Sequence, residues 1–523
     1  MAAVCPCSPE RVGLVRARGR GVSSLEQSDS EIEWTPARTS RAWWWWALAV
    51  LVLVGAGTWA SRQPQVGMWW RGEIDWHGDR IYAPQHPPGL DAVDLVAVHE
   101  QLLPAWIIAR GRRTRGLPGA AKAEDEAFER LQTALEPDGN LLDIAQQWRS
   151  VAVPHALGKT PRRALYLGWA WNHYLEQHEV PLFVQLSVLG TRFGPAFTAG
   201  IYHVHADAAV AVGTSAHRVR VISRVDHMNL REAYLGAAGH DGAVVVVDRL
   251  RDFTLAEVWP LLDPWAELSP ATRSRFGAAL RAEAEAQLPP EDFERLQASA
   301  GARWRITKTL DAIADRRVSC SSGFRINDVP PLGFPTDRLA NLEAIAERHA
   351  TRWCPGITTA EVEVLREASA SLSAVPGLEP ALDVLVAWGA QHVAIHEARH
   401  LADAATVDGF EQPLDCVSCP EAMGVQARTE VSGYLAGIAW SPSPALALYQ
   451  ACRSLATEHR RPTGSGSPHR EALELLLRRM GPVCALGPPQ QLHALGRLLE
   501  MEMLGRSDPM ALPADFPRRL ARP

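Results

Sequence analysis

Lysine is almost absent from this chain. Three occur, Lys122, Lys159 and Lys308, so arginine supplies nearly all of the 53 basic side chains. Against 59 carboxylates they leave a formal net charge of −6, and neither sign dominates. That balance excludes a global attraction to nucleic acid, which requires a basic surface. The arginine bias reads as GC-rich coding and not as a set of binding sites. Neither glycine pattern that cradles phosphate is present; Gly236 to Gly242 holds three glycines at other spacings and reads as a turn. No second C-x-x-C accompanies Cys416-Val417-Ser418-Cys419, and no βαβ pattern surrounds it. The pair therefore reads as a structural disulfide, or as two bonds to other cysteines, and not as a thioredoxin-like motif. No repeat at solenoid or propeller spacing is visible.

What is present is a chain of 523 residues, 47% of them hydrophobic, long enough for roughly two to four domains around at least one core. Mean hydropathy of −0.11 excludes a polytopic membrane protein. One uncharged run, Ala42 to Ser61, is long enough to cross a bilayer as a single helix. Trp43 to Trp46 stand at one end, and Trp59, Trp69 and Trp70 at or just past the other, as two interfacial belts. Residues 1–41 are too long for the leader of a signal peptide, and Thr58-Trp59-Ala60 is a poor cleavage site, so the reading is an uncleaved signal anchor. Arg38 and Arg41 before the run, with Arg16, Arg18 and Arg20 further back, outweigh Arg62 and Arg71 after it only slightly, placing the N-terminus in the cytoplasm. The expectation is a single-pass protein of a bacterial inner membrane, its large C-terminal part outside the cytoplasm. Six of the eight cysteines follow the anchor, which suits an oxidising compartment.

The expected class is α+β, with four parts. Residues 1–41 form a disordered cytoplasmic tail and 42–61 the anchor. Residues 73–318 form a mixed α+β domain of unknown role, and 337–523 a mostly helical domain. Within the middle part, Leu182–Leu189, Ile201–Val212, Val219–Val225 and Gly242–Val247 read as strands from their β-branched or alternating patterns. Asp91–Leu135 and Leu255–Ala314 read as helical. The boundary is set at the Cys/Gly/Pro-rich connector Ser319–Pro335.

The chemistry lies in Gln391-His392-Val393-Ala394-Ile395-His396-Glu397-Ala398-Arg399-His400. This contains H-E-x-x-H. Residues four apart on a helix lie one above the other, so His396 and His400 can present imidazoles to one ion. Glu397 can then serve as general base without being a ligand. With 18 histidines in the chain, about 0.04 chance matches are expected. The bland alternative is an amphipathic helix carrying two solvated histidines. Catalytic zinc takes three protein ligands, and the H-x-x-G-x-x-H extension fails, because 403 is Asp and 406 is Thr. The next helical segment, Val425–Trp440, places Glu430, Gly433, Tyr434 and Gly437 on one face. Its glycines would let it approach the histidine helix and bring Glu430 to the metal; Glu421, in a loop beside Pro420, is the rival.

Residues 376–440 thus resemble the core of zinc metallopeptidases of the gluzincin type: an H-E-x-x-H helix, a loop, and a second helix supplying glutamate. The resemblance implies that His396, His400 and Glu430 hold Zn2+ and that Glu397 is the general base. Asp403 is a candidate acceptor orienting an imidazole. An acidic residue often follows the third ligand by four in that pattern; here Tyr434 stands there. Tyr434, Arg428, Tyr449 and His459 can each donate to an oxyanion, and Tyr434 is taken as the catalytic donor. A second pair, His203 and His205, shares one strand face and suggests a weaker metal site.

The function so expected is a membrane-anchored zinc peptidase acting on a peptide or protein substrate, with no nucleic-acid partner and an oligomeric state the sequence leaves open. The alternative is a catalytically inactive zincin-like scaffold or receptor at the membrane. A metal-dependent hydrolase of a non-peptide amide is a third.

Overall fold

The computed structural model describes residues 84–150, 162–191, 194–226, 234–239, 242–263, 276–320, 326, 332–407, 409–460, 467–480 and 489–520. The expected tail and anchor over 1–61 lie outside these residues. Among the described residues no single helix is long and apolar enough to cross a membrane.

Four helices come first: α1 (Leu103–Thr114), α2 (Ala120–Leu135), α3 (Gly139–Ser150) and α4 (Arg162–Gln177). Their aromatic residues face inward; Trp148 and Trp171 stack at 4.9 Å, and the Tyr174 hydroxyl donates to Asp138 at 2.7 Å. The strands follow: β1 (Leu182–Thr191), β2 (Gly194–Val212), β3 (Ser215–Arg224), β4 (Gly236–Gly239) and β5 (Gly242–Val246). They form one half-barrel sheet in the order β1-β2-β3-β5-β4. All neighbours are antiparallel except β3 and β5. Among the described residues β4 pairs only with β5 and so ends the sheet.

The sheet has two distinct faces because side chains alternate along each strand. Val219, Val221, Ala243 and Val245 point one way, and Ile222, Val244 and Val246 the other with Phe183 and Tyr202. A bulge between Val204 and Ala206 switches the alternation of β2, so that Ala208, Val210 and Val212 join the first face.

Helices make up the remainder: α5 (Val247–Phe253), α6 (Ala278–Gln287), α7 (Pro290–Cys320), α8 (Thr336–His349), α9 (Thr359–Ser373), α10 (Leu378–Thr406), α11 (Val425–Trp440), α12 (Pro444–Arg460), α13 (Pro468–Met480) and α14 (Pro489–Leu504). A short strand, β6 (Met510–Ala511), then pairs with β2 at Ala211 and Val212. The start of α9 carries a capping box: Thr358 Oγ1 accepts from the Glu361 N–H, and the Glu361 carboxylate accepts from the Thr358 N–H. Arg316 of α7 donates to the same carboxylate at 2.9 Å, tying α7 to α9.

α10 is the central element. Val386, Ala390, Val393, Ala394 and Ala398 lie against the sheet. Ala381, Leu382, Leu385 and Trp388 lie in the helical layer opposite. A helix covered on both sides needs no polar face, which is why its sequence is apolar nearly all round. Each fully buried Leu or Ile there contributes roughly 1.5–3 kcal/mol.

The mixed α+β class is as expected, and about 66% of the structure is helical. Residues on either side of Ser319–Pro335, expected to belong to two domains, share one core. Leu255, Trp259, Leu296 and Ile306 pack in the same cluster as Leu342, Leu385, Leu435 and Leu476. The Cys320–Cys354 disulfide also spans the connector. Residues 236–239, expected as part of a turn, are the edge strand β4. Only small residues occur in Gly236-Ala237-Ala238-Gly239, so no β-branched signal marks it.

Candidate metal centre

Because α10 is held on both sides, His396 and His400 are fixed where its buried stretch meets α11. Their Nε2 atoms stand 2.9 Å apart and their ring centroids 4.5 Å apart. Two imidazole nitrogens at that separation either share a proton or face a common cation. His396, Glu397 and His400 offer donor atoms all within 4.8 Å of one another, a group that could hold a metal ion. Among the described residues no other group of three or more His, Cys, Asp or Glu does so.

α11 completes the set by close approach. A Cβ on Gly433 would lie 2.7 Å from Cε1 of both His396 and His400, so only glycine admits the two helices at this distance. Gly437, expected to act with it, instead faces α12, where a Cβ would meet Ala447 at an ordinary 3.5 Å. One turn before Gly433, Glu430 reaches the imidazoles: Oε2 is 3.5 Å from His396 Nε2, and Oε1 is 3.8 Å from His400 Nε2. Glu421 is exposed, and its carbonyl accepts from Arg428.

The electrostatics follow from burial. Desolvation pushes the Glu397 carboxyl up to about 7, against the lowering influence of His396. Desolvation also takes His400 down to about 3, so its ring is neutral, the form a metal ligand needs. Glu430 is held well below the usual carboxylate range: burial opposes ionisation, but His396, His469 and His400 together outweigh it. The donor set of two imidazoles and a carboxylate suits zinc. Its fit to a cation shows in the facing atoms: the two Nε2 atoms stand 2.9 Å apart, and the Glu430 carboxylate comes within 3.8 Å of each.

One residue at this site carries no sequence signal. His469, in the first turn of α13, sets Nδ1 3.1 Å from Glu430 Oε2 and 3.4 Å from the Tyr434 hydroxyl. It follows a Thr/Gly/Ser/Pro run and stands at no ligand spacing from anything else. Tyr434 itself packs edge-on against His396, ring centroids 4.9 Å apart. Other candidate donors are engaged elsewhere. Arg428 donates to the Met423 carbonyl at 3.2 Å, and Tyr449 to Glu257. The side chain of His459 lies outside the described residues.

Asp403 does not orient an imidazole. Its carboxylate is engaged by Arg399 at 3.3 Å and by Arg506, behind the helix from the histidines. Arg399, fully buried, also donates to Ser432 Oγ at 2.9 Å and to Asp508 at 3.2 Å, and lies 3.7 Å from Glu500. A buried cation so surrounded locks the back of α10 to the segment after α14.

A second approach comes from the sheet. A Cβ on Gly236 would lie 2.6 Å from Glu397 Cγ, so the edge strand β4 runs directly over the Glu397 carboxyl. Cys416 and Cys419, in the loop between α10 and α11, are disulfide-bonded to each other. The rings of His203 and His205 stand 4.9 Å apart, and His205 Nε2 pairs with Ser223 Oγ at 2.7 Å; among the described residues they do not fall in a group of three metal-ligating side chains. No family model, no curated protein and no solved structure matches this chain.

Proposed function

We propose that the protein is a zinc-dependent peptidase with His396, His400 and Glu430 as metal ligands. The observation that carries this reading is the facing pair of imidazoles, with the Glu430 carboxylate 3.5 and 3.8 Å from their Nε2 atoms and the buried Glu397 carboxyl grouped with them. Zinc held there supplies a water of lowered pKa and polarises a carbonyl. Glu397, buried beside the two imidazoles, is placed to act as general base, taking up a proton and passing it to the departing amine. Tyr434, packed against His396 and 3.4 Å from His469, is the donor proposed for the developing oxyanion. Among the described residues the outer edge of β4 is unpaired and its backbone runs over Glu397, which suits an extended peptide better than a small amide.

Elemental analysis of the purified chain beside Glu430→Ala tests the ligand set. About one zinc per chain, lost or sharply reduced in the variant, supports it. No zinc after metal supplementation overturns it. Glu397→Gln then separates an enzyme from an inactive scaffold: it keeps zinc and loses hydrolysis only in an enzyme.

A further inference from the structure

Away from the metal centre, the C-terminal ends of α7 and α8 are brought together by the Cys320–Cys354 disulfide, whose Cα atoms are 6.2 Å apart. The tip so formed carries two large apolar side chains in water. Trp353 is 89% exposed and Val318 80% exposed, the two highest values among the exposed large apolar residues described. Arg317 directly precedes Val318 in the last turn of α7, Arg348 lies in the last turn of α8 and Arg352 directly precedes Trp353; none makes an ion pair among the described residues. Of the carboxylates on the same helices and their neighbour, Glu361 is taken by Arg316 and Glu343 by Arg366; Asp315 and Glu347, close in sequence, leave the three arginines one positive charge in excess. The loop is not loose. The Arg352 N–H donates to the His349 carbonyl at 2.9 Å, the Gly356 N–H donates to His349 Nδ1 at 3.2 Å, and Cys354 and Ile357 are buried. Trp353 is therefore held outward by an anchored turn.

Arginines in last helical turns also complement helix dipoles, but that role does not account for an indole left almost wholly in water. We propose that this tip docks on an anionic lipid surface, with Trp353 and Val318 entering the headgroup boundary and the three arginines pairing with lipid phosphates. An indole is at home at that boundary, and each arginine near an anionic leaflet strengthens binding about fivefold. A second copy is a poor occupant, because a two-fold contact would set the three cations against themselves. A protein partner is poorly served as well. Two exposed apolar side chains offer far less than the roughly 800 Å² per side of a stable interface, whereas lipid needs no matching cavity. The proposal needs no metal and stands apart from the peptidase reading.

The test uses the full chain reconstituted in vesicles of phosphatidylcholine, with and without phosphatidylglycerol, the lipids carrying brominated chains. Subtracting the emission of Trp353→Phe isolates Trp353 from the other tryptophans, including any in the anchor. In anionic vesicles the difference emission shifts to the blue and loses most of its intensity. Raising salt to about 1 M, where the Debye length falls to about 3 Å, restores it. Arg317→Glu/Arg348→Glu/Arg352→Glu abolishes the quenching, and the corresponding triple lysine variant retains it. Circular dichroism of each variant confirms that the fold is kept. Three results overturn the proposal: red, unquenched emission at every composition; equal quenching with neutral and anionic lipid; or shielding that depends on protein concentration in detergent, which would identify a second copy.

Discussion

Two pairs of histidines lie in this molecule, and the contrast between them shows what makes a site. His396 and His400 are one turn apart on a helix; His203 and His205 share a strand across a bulge. Both pairs bring their rings to within 5 Å. The helical pair is met by α11, whose Gly433 removes the atom that would keep Glu430 away. The strand pair meets Ser223, a neutral hydroxyl. Spacing places two imidazoles together, but a second element, allowed close by a missing Cβ, supplies the carboxylate that a cation site would need beside them.

The most severe test of that contrast is Glu397→Gln, which should lower hydrolysis by about 10²- to 10⁴-fold while zinc stays bound. His203→Ala/His205→Ala should alter neither zinc content nor rate; a loss of zinc in that double variant would erase the distinction between the pairs. Next in size is Gly433→Ala. The new methyl intrudes on both rings, and a cost of roughly 1–3 kcal/mol in stability is expected together with weakened zinc binding. Gly437→Ala on the same helix has room, and should stabilise by up to about 1 kcal/mol through helix propensity. Urea unfolding and competition with a chelator read both. His469→Ala removes a partner of Glu430 without removing a ligand, and zinc affinity should fall by about 10- to 100-fold.

The smallest effect compares two buried carboxyls. Glu283, like Glu397, is pushed up to about 7 by desolvation. It faces no imidazole; it accepts from the N–H groups of Ala445 and Leu446 at the start of α12, at 2.8 and 3.3 Å. A pKa raised from the ordinary 4.5 means that the folded state holds the proton more tightly. The stability it contributes is complete below about pH 4.5 and is lost as pH rises through about 7. Glu283→Gln should remove this slope, so that between pH 5 and 8 the wild type loses roughly 1–3 kcal/mol more than the variant in urea unfolding. Its zinc content should not change.

Much of the centre was legible because helical period and ligand spacing are local. H-E-x-x-H, the length of α10, and Glu430 with Gly433 on one face of α11 could all be read along the chain. What escaped depends on contacts between distant segments. β4 lacks any β-branched residue and is made a strand by pairing with β5. His469 joins Glu430 across 39 positions with no motif between them. Asp403, three past His400, looks like an imidazole partner until Arg506, 103 positions on, is seen to claim it. The shared core across Ser319–Pro335 was hidden for the same reason: a connector rich in cysteine, glycine and proline marks a bend, and only packing tells whether a bend divides two cores.

The anchoring of Arg399 has a consequence for the order of events during synthesis. Its guanidinium is buried among Ser432, Asp403, Glu500 and Asp508, and the last of these lies 109 residues downstream. At about 10 residues per second the ribosome needs roughly ten seconds to pass from one to the other. Until then the helix that carries both imidazoles holds a cation without its full complement of anions. The same downstream stretch lays β6 along β2 and places Leu520 against Asp383 of α10. The nascent chain therefore has its histidines long before it has the means to fix them. Maturation of the centre is a late step, separated in time from the translation of its own motif.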